Sequence, residues 1–179
     1  KFSSIIMPGL ILLIVVIAIF CLTLSLVPTV ALATTPNATS VIIGDRSGIG
    51  ISLNANTPYL ASSSTSATST KPQEEKGYIY FNASTGTVEL HNYDDRSATT
   101  QRALCATSGD LIIQLKGNSY IKSTSNGIYS DGKLTISGPG SLTLTSSTNG
   151  TTVYAKNTIT IQNGAKVTAP GGASGQSIH

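Results

Sequence analysis

The stretch Gly127-Ile128-Tyr129-Ser130-Asp131-Gly132-Lys133-Leu134-Thr135-Ile136 is answered by Thr152-Val153-Tyr154-Ala155-Lys156-Asn157-Thr158-Ile159-Thr160-Ile161, each position 25 residues further on. Ile128 falls on Val153, Tyr129 on Tyr154, Leu134 on Ile159 and Ile136 on Ile161. The match runs on through Leu142 with Val167 and Thr143 with Thr168. Self-similarity at a fixed period of this size marks an architecture of stacked repeats. Within each copy apolar residues alternate with polar ones, the period of a strand buried on one face. Three short strands per copy, separated by Gly, Asn, Asp and Ser corners, predict an all-β chain. The expected fold is a right-handed parallel β-helix with coils of about 23–25 residues.

The repeat extends in both directions. Backward, Gly109-Asp110-Leu111-Ile112-Ile113 aligns with Gly132 to Ile136 at a shift of 23, and Gly117 falls on Gly140. Ala103-Leu104-Cys105 precedes Gly127-Ile128-Tyr129 by 24. Forward, Ser177-Ile178-His179 lands on Thr152-Val153-Tyr154, again 25 residues on, so the last residues are expected to open another coil. A solenoid needs a polar cap at each end. None follows, which predicts a truncated fragment of a longer protein.

At the other end, Lys1 precedes an apolar run from Leu10 to Val27, broken by Thr23 and Ser25 and closed by Pro28. Ala31-Leu32-Ala33 offers the small-x-small pattern of a signal-peptidase site, with Thr34 as the first mature residue. Residues 1–33 are therefore expected to be a signal peptide or a membrane anchor helix, since the 18-residue run is also long enough to span a bilayer. Either way the chain is expected to be secreted or held at the cell surface, with membrane contact only through this segment.

Beyond residue 33, Lys and Arg number 10 against 8 Asp and Glu. That excess is too small for a nucleic-acid footprint. Cys105 is then the one remaining cysteine; it cannot form an internal disulfide and is expected inside a coil as a small apolar residue. Residues 34–93 read as a linker and an N-terminal β-cap. Val41-Ile42-Ile43 and Ile49 to Leu53 flank a turn at residues 44–48, and Tyr78 to Phe81 and Thr87 to Leu90 form a hairpin. Between these pairs the Ser/Thr-rich stretch 61–76 is expected to be a mobile loop. Asp94 to Gln101 reads as a polar loop, and residues 94–179 as the coils.

The phrasing Gly86-Thr87-Val88-Glu89-Leu90-His91-Asn92-Tyr93, then Gly109 to Asn118, then Asn126-Gly127-Ile128-Tyr129 resembles the secreted carbohydrate-binding β-helix proteins of clostridia and their relatives. In that family a short β-cap precedes such coils, and the likeness covers about Val41 to His179. The resemblance implies binding of an extracellular polysaccharide, including pectin-like acidic glycans of plant cell walls. It also implies calcium at some coil corners in certain members.

Stacking at about 4.8 Å per coil turns equal registers into ladders. Ile128, Leu134, Ile136, Val153, Ile159 and Ile161 are expected to point inward, each stabilising by roughly 1.5–3 kcal/mol if fully buried. Tyr129 then points outward with Tyr154 directly above it. Two phenols beside Asp131 and Lys156 would offer a sugar ring an aromatic face with hydrogen-bonding neighbours, so these four are the candidate carbohydrate-binding residues. Thr135 with Thr160, and Thr143 with Thr168, form outward threonine rows. Asp110 and Asp131 sit at glycine-flanked corners, ordinary turn chemistry for Asp, and are the residues that could hold calcium.

Polysaccharide lyases set a different requirement: carboxylates gathered around calcium plus a base such as Arg. Asp94, Asp95, Asp110 and Asp131, with Arg96 and Arg102, are available, but the repeat puts Lys156 and Asn157 where Asp131 and Gly132 stood. No catalytic residue is assigned. His91 and His179 belong to no metal-ligand spacing, and there is no Gly-x-Ser-x-Gly elbow. The expected activity is non-catalytic polysaccharide binding. The alternatives are a structural or adhesin-like solenoid segment that binds protein partners and, further off, a lyase.

Overall fold

Alternating sequence becomes strand after strand. The structure, a computed structural model, describes residues 35–46, 49–62, 64–96, 102–124, 126–146, 151–169, 173–174 and 177–178. The expected signal or anchor segment, 1–33, lies outside them. Thr35–His179 form one unit, all-β among the described residues apart from a 3-10 turn at Glu74–Lys76. Among the described residues no helix is long and apolar enough to cross a membrane.

The first strands are β1 (Val41–Arg46), β2 (Ile49–Leu53), β3 (Tyr59–Ala61), β4 (Tyr78–Asn82), β5 (Thr87–His91) and β6 (Asp94–Asp95). Then come β7 (Arg102–Ala106), β8 (Leu111–Leu115) and β9 (Asn118–Ser123), followed by β10 (Asn126–Ser130), β11 (Leu134–Ser137) and β12 (Ser141–Ser146). The last are β13 (Val153–Ala155), β14 (Thr158–Ile161), β15 (Lys166–Thr168), β16 (Ala173–Ser174) and β17 (Ser177–Ile178). From β7 onward the chain visits three sheets in turn. The six-stranded sheet has the order β16-β13-β10-β7-β1-β2, the seven-stranded sheet β17-β14-β11-β8-β5-β4-β3, and the four-stranded sheet β15-β12-β9-β6.

Parallel pairing follows the sequence repeat residue by residue. Ile128 lies beside Val153 and Tyr129 beside Tyr154; Leu134 beside Ile159 and Ile136 beside Ile161; Leu142 beside Val167 and Thr143 beside Thr168. One rung below, Leu104 pairs with Ile128, Leu111 with Leu134 and Asn118 with Ser141. Leu104, Ile128 and Val153, Leu111, Leu134 and Ile159, and Leu142 and Leu144 are all buried in one hydrophobic cluster fed by all three sheets.

Two expectations fail at the far end. Ala173 and Ser174 pair with Val153 and Tyr154, and Ser177 and Ile178 with Thr158 and Ile159. The shift is thus 20 and then 19, not the 25 expected for Ser177-Ile178. Packing fixes the strands but not the corners: two residues separate β9 from β10, six separate β12 from β13, and four separate β15 from β16. Ile161, expected inward, is 38% exposed. β17 runs only alongside Thr158 and Ile159, so among the described residues no strand lies over Ile161.

The N-terminal part departs from expectation in instructive ways. Arg46 already pairs with Ile49, a tighter turn than 44–48, because Gly44 takes a left-handed φ of 62° and opens a bulge between Ile43 and Asp45. β1 lies antiparallel against β7, with Ile42 opposite Cys105 and Ile43 opposite Leu104. The thiol of Cys105 is buried, yet Cys105 is absent from the core cluster that holds Leu104. Strand alternation puts it on the outer side, in register with Tyr129, rather than in the interior.

β3, β4 and β5 form an antiparallel meander, and β5 is already parallel to β8, Leu90 beside Leu115. Asp94–Asp95, expected in a loop, pairs with Tyr120 and Ile121. Parallel stacking therefore begins at β5. Along the stretch 61–76, Tyr59 and Thr68 exchange backbone hydrogen bonds of 3.1 and 2.9 Å, and the Ser62 N–H donates to the Gly77 carbonyl at 3.1 Å. Below the corner at Gly109, Pro36–Ala38 add a partial rung, with Asp110 N–H on Pro36 O at 2.8 Å and Ala38 N–H on Asp110 O at 2.9 Å. Gly109 needs to be glycine there: its φ is 75°, and a Cβ would strike the Pro36 carbonyl and the Ala38 nitrogen.

Candidate functional site

The repeat brings the four candidate residues together. Tyr129 and Tyr154, opposite one another on β10 and β13, are half-buried, and their rings stack with centroids 5.2 Å apart and planes 11° from parallel. Ile128 and Val153 anchor the pair by pointing into the core. Just beyond the strands, Lys156 Nζ reaches Asp131 Oδ1 at 3.4 Å, the side chains being 61% and 37% exposed. Ion pairs this open contribute roughly 0–1 kcal/mol. The result is a small outward patch of two phenols and one ion pair on two adjacent rungs.

Stacking changes what the phenols can offer. Each ring gives one face to the other, so a ligand approaching from outside meets ring edges and hydroxyl groups more than an open aromatic face. Such a surface presents hydroxyl groups capable of hydrogen bonding along the ladder, with apolar ring edges beside them.

Asp110 and Asp131, the candidate calcium residues, have partners of their own. Asp110 Oδ1 accepts the Lys133 backbone N–H at 2.8 Å, and Asp131 faces Lys156. Among the described residues no three His, Cys, Asp or Glu side chains are grouped to hold a metal. The carboxylates weighed for a lyase are split between places: Asp94 and Asp95 lie on β6 in the four-stranded sheet, while Asp110 and Asp131 lie near the corners before β8 and β11. Asp94 Oδ2 holds Arg96 Nε at 3.0 Å; the Arg102 side chain is not among those described. In the threonine rows, Thr135 pairs with Thr160 and Thr143 with Thr168.

Two polar clusters were not legible in the sequence. On the four-stranded sheet, the Arg96 guanidinium lies 4.7 Å from the Tyr120 ring centroid, and the Tyr120 hydroxyl is 2.9 Å from Thr145 Oγ1. On β3–β5, Tyr59 and Tyr80 pack at 4.9 Å and Tyr78 stacks on His91 at 4.3 Å and 13°. His91, which looked isolated, sits between two carboxylates: Nε2 is 2.9 Å from Glu89 Oε2 and Nδ1 is 3.5 Å from Glu74 Oε2. Glu89 and His91 two residues apart on one strand were a signal for the first contact. Nothing in the sequence placed Glu74.

Compared with known proteins, the chain matches no family model, no curated protein and no solved structure.

Proposed function

We propose that the chain is a right-handed parallel β-helix with an N-terminal β-cap, of the kind found in the clostridial carbohydrate-binding proteins it resembles. In this reading it is a non-catalytic module, secreted or held at the cell surface, that binds an extracellular polysaccharide along its outer wall. The observation that carries the reading is the Tyr129–Tyr154 stack with Lys156 and Asp131 on the same two rungs. Repeat spacing of about 4.8 Å suits it, because a polymer lying along the stack meets equivalent hydroxyl-bonding groups at the two successive steps of Tyr129 and Tyr154.

The test is retention of the folded chain on pectin, cellulose and xylan, for the parent and for the Tyr129→Ala/Tyr154→Ala double variant. Retention on at least one polymer, lost in the double variant, is expected. No retention on any of the three by folded protein sinks the proposal. A second reading, a structural or adhesin-like segment, draws on the exposed Ile161 at the end of β14. Its signature is self-association that Ile161→Asp abolishes.

A further inference from the structure

The segment that ends in the 3-10 turn Glu74–Lys76 reaches Tyr78 on β4 and His91 on β5 through Lys71 and Glu74. Its contact with the sheet converges on one carboxylate. Tyr78 Oη donates to Glu74 Oε1 at 2.9 Å, Lys71 Nζ lies 2.6 Å from the same oxygen, and His91 Nδ1 is 3.5 Å from Oε2. The Lys71 ammonium also lies 5.7 Å from the Tyr78 ring centroid. Tyr78 is left 1% exposed, although it sits on the side of β4 opposite the core residues Ile79 and Phe81. Tyr78 belongs to the largest aromatic group among the described residues, with Tyr59 at 6.1 Å and His91 at 4.3 Å.

We propose that residues 69–76 form a strap latched over the Tyr78–His91 pair by the Glu74 carboxylate, and that protonating this carboxylate releases the strap and uncovers the aromatic group. The Glu74 side chain is 60% exposed, so solvent and protons reach the latch directly. Its contacts are also the weak, screened kind, and an element held this way opens before the sheet beneath it does.

Every charged group around the latch bears on the sign. Lys71 and the Tyr78 hydroxyl hold the Glu74 carboxyl below the usual carboxylate range. Burial, and then the bond to Glu74, pushes the Tyr78 phenol up. A group whose pKa is depressed in the closed state favours closure above its free pKa and loses that contribution as pH falls through the depressed value. The latch therefore opens on the acid side of the ordinary carboxylate range. Glu89 holds one nitrogen of His91 at 2.9 Å, and the other faces Glu74 at 3.5 Å. Glu75 and Lys76 share the strap, and Lys116 follows Leu115, the partner of Leu90, on the neighbouring strand.

Hydrogen exchange, corrected for intrinsic rates, reads the strap through the Lys76 and Gly77 amides, which donate to Gln73 O and Glu74 O at 3.1 and 3.2 Å. In the parent chain their protection is expected to fall roughly two- to fivefold between neutral pH and pH values below the carboxylate range. Glu74→Gln should be weakly protected and flat across that range. Amides of β8 should not change in either protein. Identical protection in the parent and Glu74→Gln at every pH overturns the proposal. So does a loss that spreads equally to β8, since it would report unfolding of the sheet and not of the strap.

Discussion

Ile113, Ile136 and Ile161 occupy one register on three successive rungs, β8, β11 and β14, and so form an internal experiment. Ile113 and Ile136 are fully buried, whereas Ile161 is 38% exposed. Cutting Ile136 to Ala removes three methylene-sized groups from a closed site and leaves a void between rungs, at a cost of roughly 2–5 kcal/mol. At Ile161 no cavity forms, because water occupies the vacated space. Only the transfer contribution of the covered part is lost, about 1 kcal/mol.

Urea unfolding of each single variant measures the difference. The midpoint should drop clearly for Ile113→Ala and Ile136→Ala and slightly for Ile161→Ala, with the slope unchanged. In a thermal melt a 3 kcal/mol loss corresponds to a fall of roughly 6–12 °C at this chain length. Equal costs at Ile136 and Ile161 would mean that something covers the last rung. A cost below about 1 kcal/mol at Ile136 would mean that the stacked column does not hold the fold, and the inference from the repeat would fail with it.

Three further outcomes follow from single contacts. A double-mutant cycle on Tyr129→Ala and Tyr154→Ala should give a coupling of about 0.5–1.5 kcal/mol; a coupling near zero would show that the rings do not stack in solution. Thr152 Oγ1 is buried with no hydrogen-bond partner among the described residues, so Thr152→Val should be neutral or should stabilise by up to about 1 kcal/mol; a clear loss in the urea midpoint would show that the hydroxyl is satisfied. Burial, reinforced by the nearby Asp95 carboxylate, holds the Tyr93 phenol above its ordinary value. A raised folded pKa means that its stabilisation is complete below about pH 10, the unfolded value, and is lost as pH rises from there. Unfolding curves from pH 8 to 11 should therefore show falling stability, with a shallower slope in Tyr93→Phe; parallel slopes would refute the assignment.

What the sequence disclosed was register, because two-residue alternation combined with a long repeat leaves little freedom. Shifting a strand by one residue would turn Leu134 and Ile136 out to water and Thr135 in. That constraint weakens where its causes weaken. β6 has two residues, both Asp, so its place beside Tyr120 carried no apolar signature. The pairing of β1 with β7 is antiparallel and breaks the rule that later strands obey. Past β15, corner length changes and the apolar marks thin out to Ala173 and Ile178, which let a 25-residue shift look acceptable. For the candidate site, the Tyr129–Tyr154 contact was readable because it is a ladder contact. The Glu74–Tyr78–His91 latch depends on how an irregular segment folds back over a sheet, and no periodicity encodes that.

The corners show why polar side chains in such a chain are poor evidence for a ligand on their own. A backbone that bends between sheets leaves N–H groups that no strand pairing within the bend can serve. Here the rung below serves them: Asp110 Oδ1 takes the Lys133 N–H at 2.8 Å, and Asn92 Oδ1 takes the Asn118 N–H at 3.0 Å. Asn118 Oδ1 in turn accepts the Ser141 hydroxyl at 2.8 Å. Gly117 is part of the same device, since a Cβ there would collide with the Asn92 side-chain amide. Asp and Asn at these positions stitch one rung to the next, a structural role that comes before any functional one. Tyr129 and Tyr154 differ in kind. Neither ring belongs to the core cluster, and part of each remains open to solvent. That surplus is why a bound polymer is sought along their ladder and not at the acidic bends.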